Sequence, residues 1–196
     1  MYPYNHKMGQ TIQTNADGVE ADRGFLAHFQ VAAAAAAAAS ATAILAATAL
    51  TDEAQAIITG ITNPAVPRSL TVKGNAAGIT GNVVITGTNY AGAVITETIA
   101  LNGSTAVEGT KAFKTVTKID LPVEVNVGTD TVSVGTGTKL GLPWRLPHNT
   151  VLAAFLDNAK EGTAPTVTVS ATAIESNTIK LNSALAGKVV DVYLIV

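Results

Sequence analysis

From Val83 to Pro122 the chain reads VVITGTNYAGAVITETIALNGSTAVEGTKAFKTVTKIDLP, short runs of alternating β-branched and polar residues broken by glycine, with Asn102-Gly103 between two runs. Successive side chains of a strand point to opposite faces. Val83, Ile85, Ile95, Ile99 and Leu101 therefore lay out on a pleated sheet better than on one face of a 3.6-residue helix. The ladder is built almost wholly from Val, Ile, Thr, Ala and Gly. These residues fill sheets and pair edges, and none is a good general base, metal ligand or covalent catalyst in ordinary surroundings.

The same pattern recurs along the chain. Strands are expected at 43–51, 54–59, 69–73, 82–88, 93–101, 111–120, 131–134, 151–156, 166–172, 178–181 and 188–196. Asn63-Pro64 and Val66-Pro67 close a turn outside any central ladder, because proline fixes φ and removes a donor. Helical signals between the strands are missing, which disfavours parallel βαβ units and leaves antiparallel pairing. The expected fold class is all-β, an antiparallel β-sandwich or jelly-roll-like domain over residues 42–196. The apolar end, Lys188 to Val196, must be buried, either inside this sheet or by completing one in an adjacent subunit.

Residues 1–41 read differently. Pro3, Gly9, Gly18 and Gly24 break any periodicity before Val31, so an extended N-terminal arm is expected, followed by a short Ala-rich helix at Ala32–Ala39, where helix propensity is highest. The arm holds Tyr2, Tyr4, Phe25 and Phe29, half of the chain's eight Tyr and Phe. That concentration makes the four rings candidate anchors on a partner surface, since aromatic rings bury much area at low entropy cost. Trp144-Arg145, bracketed by Pro143 and Pro147, is a second candidate interface. The uncharged stretch Val31 to Leu50 is not expected to span a membrane, because alanine is weakly hydrophobic and neither a basic flank nor an aromatic belt adjoins it.

Apolar residues make up 47% of the chain but aromatics only 5%. A core of such small side chains gains by being shared between copies, so oligomerisation is expected. Charged residues are 13%, against about 25% in ordinary soluble domains. The net charge is −2 and the cations are scattered, so no nucleic-acid partner is expected. There is no cysteine, which excludes disulfides and Cys-based zinc sites.

No motif carries chemistry. Val134-Gly-Thr-Gly-Thr-Lys-Leu-Gly141 fits neither phosphate-loop spacing and precedes Pro143, so its glycines read as turn residues. His6, His28 and His148 lack metal-ligand spacing. Ser69, His148 and Asp157 have no nucleophile elbow around them. Asp120, Glu124 and Asp130 sit near strand ends without a calcium-loop pattern. The expectation is a non-enzyme without catalytic, metal or cofactor residues.

Five blocks carry a resemblance: Gly60-Ile-Thr-Asn-Pro-Ala-Val-Pro-Arg68, Gly81-Asn-Val-Val-Ile-Thr-Gly87, Ile95-Thr-Glu-Thr-Ile-Ala-Leu-Asn-Gly103, Lys111-Ala-Phe-Lys-Thr-Val-Thr-Lys118 and Lys139-Leu-Gly-Leu-Pro143. Together they resemble structural proteins encoded in tailed-phage and prophage genomes. The resemblance implies a virion component, made in the host cytoplasm, most like a capsid decoration or cement protein on the head surface. Its implied partners are the major capsid protein and copies of itself, as a homotrimer. A tail, neck or fibre position is the alternative. From the residues alone, a carbohydrate- or receptor-binding module is a further alternative, and Tyr90, Trp144 and Phe155 are its candidate platform.

Overall fold

The first two strands of the ladder are where the alternation puts them, whereas the strand expected at 111–120 begins only at Thr115, and the short strand at Val107–Glu108 is unexpected. In the computed structural model, which describes residues 11–13, 20–22 and 24–196, β7 (Asn82–Thr88) and β8 (Val94–Ala100) pair antiparallel with Val83 opposite Ile99 and Gly87 opposite Ile95. Their connection turns on Asn89, whose side-chain oxygen accepts the amides of Ala91 and Ala93. Asn102-Gly103 also makes a tight turn: Thr105 N donates to Asn102 O, and Gly103 has φ +55°.

Numbering runs from two short paired strands, β1 (Thr11–Gln13) and β2 (Glu20–Asp22). It continues with β3 (Leu26–Val31), β4 (Ser40–Ala49), β5 (Gln55–Ile57) and β6 (Arg68–Gly74). After β7 and β8 come β9 (Val107–Glu108), β10 (Thr115–Leu121) and β11 (Thr131–Gly141). The chain ends with β12 (Val151–Leu156), β13 (Ala159–Lys160), β14 (Thr166–Thr168), β15 (Thr178–Lys180) and β16 (Val190–Ile195). Every pairing is antiparallel. The protein is an all-β, sandwich-like molecule.

Two hydrophobic cores lie along one long strand. The first gathers β7, β8 and β10 from the sheet β5-β10-β7-β8, together with Ile44, Leu45, Leu70, Val72, Val132 and Val134 from β4, β6 and β11. The second gathers Phe29, Val31, Leu156, Val190, Val192 and Leu194 from the sheet β13-β12-β16-β3, together with Leu140 and Ile179 from β11 and β15. β11 thus serves the first core with its beginning and the second with its end.

Three expectations change. The extended arm does not reach Val31, because β3 pairs along β16 from Leu26↔Ile195 to Val31↔Val190 and buries Phe29 and Val31. The C-terminal strand is accordingly internal, between β12 and β3 of its own sheet. The alanine run is not a helix. Ala35 N and Ala36 N close a single turn on Ala32 O, and 36–39 run on without helix into β4. Eight alanines fall short of the length at which an isolated helix holds, and here their backbone is held by neighbours instead.

The third change concerns Val134–Gly141, expected as a turn and found within β11. Its glycines serve close approach. A Cβ on Gly135 would stand 1.8 Å from Ser40 O, and one on Gly137 would meet the Ser69 hydroxyl and the Glu108 carboxylate, both at 2.3 Å. Among the described residues no helix is long and apolar enough to cross a membrane.

Candidate functional site

The most polar part of the interior lies where the two cores meet, and β11 creates it. Its register on β6 jumps between Thr136↔Leu70 and Leu140↔Arg68, so Gly137, Thr138 and Lys139 bulge opposite the single residue Ser69. A bulge leaves backbone donors unpaired. Glu108 of β9 takes them: its Oε1 accepts Thr138 N at 2.6 Å and Lys139 N at 3.1 Å, and also the Ser69 hydroxyl at 2.5 Å. Lys139 Nζ donates to Gly109 O at 2.8 Å, on the residue after Glu108. Burial alone would push the Glu108 carboxyl up, but these hydrogen bonds and the Lys139 charge hold it below the ordinary carboxylate range.

Arg68 closes the other side of the bulge. It is 2% exposed, and its Nη1 donates to Ala37 O at 2.9 Å while Nη2 donates to Gly137 O. Its buried Nε has no hydrogen-bond partner. Burial lowers its pKa and the Glu108 charge opposes that, yet a guanidinium stays charged throughout the physiological range. A buried donor left unpaired costs about 1–3 kcal/mol, and more when it is charged.

The interface residues expected from sequence are not gathered here. Tyr2 and Tyr4 lie outside the described residues. Phe25 is half-buried and its backbone pairs with Val196. Phe29 is 5% exposed inside the second core, so it anchors this chain's own sheet and is not free to dock on another. Trp144 is half-buried against the second core, and Arg145 beside it is exposed. Their loop is pinned by the fully buried Asn177, whose Oδ1 accepts Leu146 N and Ser170 N and whose Nδ2 donates to Ser170 O and Ala173 O.

Ser69 is 0% exposed and spends its hydroxyl on Glu108, and Asp157 accepts Val189 N. Among the described residues no three His, Asp or Glu side chains group closely enough to hold a metal ion. Each of the three acids near strand ends has a local role. Asp120 pairs with Lys118, and Glu124 accepts Gly128 N. Asp130 accepts Val125 N, Asn126 N and Asn126 Nδ2.

Comparison with protein-family models, with curated proteins and with solved structures yields no match.

Two further surface features are an exposed valine segment and a half-buried row of rings. The segment Pro122–Asp130 presents Val123, Val125 and Val127 at 48%, 50% and 87% exposure. It is stiffened from beneath by Asp130 and Glu124, and by Asn75, which bonds Thr129 O and Thr131 N. The outer face of the β12-β16-β3 sheet carries a row of rings: His28 stacks on Tyr193 with centroids 4.7 Å apart, and Phe155 meets Tyr193 edge-on at 5.9 Å. Asp191 Oδ1 contacts His28 Nε2 and Gln30 Nε2 at 2.7 Å each.

Hydrogen bonds from Asn126 and Val125 to the Asp130 carboxylate hold its pKa below the ordinary range, the Asn126 amide contributing most. A carboxylate whose folded pKa is depressed stabilises the fold above its unfolded pKa, roughly 4, and loses that contribution as pH falls through the folded value. Asp130→Asn should therefore lower the urea midpoint at pH 6, with the gap from wild type closing as pH falls toward 2. A gap that stays constant with pH would remove the carboxylate from this account.

Proposed function

We propose that the chain is a structural protein of a tailed-phage particle, a decoration protein that sits on the outside of the assembled head. It contacts the major capsid protein and copies of itself, as a homotrimer, and its work is binding rather than catalysis. The observation that carries this reading is the valine segment: three apolar side chains held out to solvent on a stiffened loop of a protein poor in surface charge. A preorganised apolar contact loses little entropy on docking, and a modest contact repeated over a shell sums through multivalency. The sequence blocks that resemble phage structural proteins support the same reading.

The test is co-sedimentation of purified protein with undecorated particles. The double variant Val125→Asp/Val127→Asp keeps its thermal midpoint, because both side chains are exposed, and loses at least tenfold in particle affinity. Undiminished binding by that variant counts against the valine segment as the contact. Light scattering on the free protein should give three times the 19.9 kDa chain mass.

A second reading is favoured by the ring row. Tyr193, Phe155 and His28 beside the Asp191 carboxylate combine ring surface with hydrogen-bonding groups, as a carbohydrate- or receptor-binding face on a tail or fibre would require. It predicts saturable binding of cell-surface glycans that Tyr193→Ala abolishes. Glycan binding indifferent to that substitution speaks against this face.

A further inference from the structure

Strand β3 lies at the end of its sheet, and the ladder fixes which of its groups face outward. Phe25 and Val196 exchange both backbone bonds, Phe25 N to Val196 O at 2.8 Å and Val196 N to Phe25 O at 2.9 Å, and the register then runs without a shift to Val31↔Val190. In an antiparallel pair such residues alternate with residues whose backbone points away. Ala27, Phe29 and Val31 therefore bond β16, and the N–H and C=O of Leu26, His28 and Gln30 point outward. Among the described residues no backbone group bonds them. The other edges are short or guarded. β1, β2, β5, β9, β13 and β14 have two or three residues each. β8 is longer, but Lys111 Nζ donates to its Thr96 O at 2.8 Å, and its Glu97 carboxylate holds Thr110 N and Lys111 N. β4 shifts register twice along β11, and Thr62 N and Gln55 Nε2 donate to its Ile44 O and Ala49 O. Bulges, charges and cover are the usual ways of blunting an edge. β3 reads Leu-Ala-His-Phe-Gln-Val, with no Lys, Pro, Asp or Glu and no bulge.

We propose that the β3 edge pairs with the β3 edge of a second copy of this chain, antiparallel and across a two-fold axis at His28. That register sets Leu26 opposite the partner's Gln30, His28 opposite the partner's His28 and Gln30 opposite the partner's Leu26, and each of these pairs exchanges two hydrogen bonds. It is the one register that engages every outward residue of both strands. On the core face it sets Ala27 opposite the partner's Phe29 and Phe25 opposite the partner's Val31, apolar against apolar. Nowhere does it oppose two formal charges, so the strand finds its complement in itself. The sheet β13-β12-β16-β3 then continues into its counterpart as one sheet. A two-fold contact closes on itself. Within the trimeric reading it therefore joins a copy in one trimer to a copy in the next, and is distinct from the contacts inside a trimer.

The test uses the full chain free in solution. It has no cysteine, so one introduced thiol reports alone. His28→Cys treated with a short bismaleimide should give a covalent pair of chains on a denaturing gel, in a yield that rises with protein concentration. Leu152→Cys is the control. Its side chain is 62% exposed, but β12 lies two strands in from the edge, so it should cross-link little. Two further changes, each added to His28→Cys, block the edge. Leu26→Pro removes an outward N–H and no bond to β16. Leu26→Lys/Gln30→Lys keeps the backbone intact and sets like charges opposite each other at both ends of the pairing. Each should lower the yield at least fivefold while the thermal midpoint stays within a few degrees of that of His28→Cys. The proposal is overturned if His28→Cys cross-links no better than Leu152→Cys, or if its yield survives the lysine pair in folded protein. No particle is present, so failure here leaves the particle reading standing, and failed co-sedimentation leaves the edge pairing standing.

Discussion

Removing residues 1–31 is expected to unfold the second core, whereas removing residues 1–23 leaves the thermal midpoint within a few degrees. The longer deletion takes away β3, the strand that pairs residue for residue along β16 from Leu26↔Ile195 to Val31↔Val190. It also removes Phe29 and Val31, 5% and 3% exposed. Burying an apolar side chain of this size contributes about 1.5–3 kcal/mol. The β16 groups that pair with β3 then lose their partners, and Asp191 loses both His28 and Gln30. The sum approaches the 5–15 kcal/mol that holds a typical domain together. Hydrogen exchange should show β12 and β16 losing protection in the longer deletion while β7 and β8 retain theirs, because the first core draws nothing from β3. Equal protection in both deletions would mean that β3 is not part of the sheet. The contrast also separates folding from docking: if Tyr2 and Tyr4 tie the protein to a partner, the shorter deletion folds normally and fails to bind.

Gly135→Ala should cost roughly 3 kcal/mol or more, at the upper end of what overpacking a close contact exacts. A Cβ at this position would stand 1.8 Å from Ser40 O and 2.6 Å from the Ala41 backbone. Backbone cannot swing aside as a side chain can. The substitution must therefore push β4 off β11, where Thr136↔Ser40 is the last pair of their ladder. At this chain length 1 kcal/mol corresponds to about 2–4 °C, so the midpoint should fall by about 6–12 °C. Gly162→Ala, whose Cβ would meet nothing within 4 Å, is the matched control and should shift the midpoint by less than about 2 °C. A Gly135→Ala variant as stable as that control would contradict the β4–β11 contact.

Where alternation is clean and turn residues flank it, sequence and structure coincide. β7 and β12 occupy 82–88 and 151–156, as the pattern predicts. β3 also alternates, with Ala27, Phe29 and Val31 facing the core and His28 and Gln30 facing out. Its glycine-broken surroundings hid a six-residue signal. β9 and β13, two residues each, are too short to show any period. The glycines of β11 mislead because they serve contacts with β4 and β9, and distant contacts leave no local trace. The alanine run misleads in the opposite way: its intrinsic preference is helical, but the Arg68 bond to Ala37 O and the Ser40 pairing with Thr136 set an extended course. The polar junction was invisible for the same reason. Arg68, Glu108 and Gly137 are far apart in sequence and meet only because β9, β6 and β11 are neighbours in one sheet.

We propose that this two-cored β protein works as a repeated piece of a particle, and electron cryomicroscopy of the particle that contains it tests the proposal most directly. The predicted result is density for both cores, present in many copies as threefold clusters on the outer surface of the head, with the valine segment Val123–Val127 at the contact. A particle without such density, or one in which the protein occupies only the tail or fibres, would contradict it.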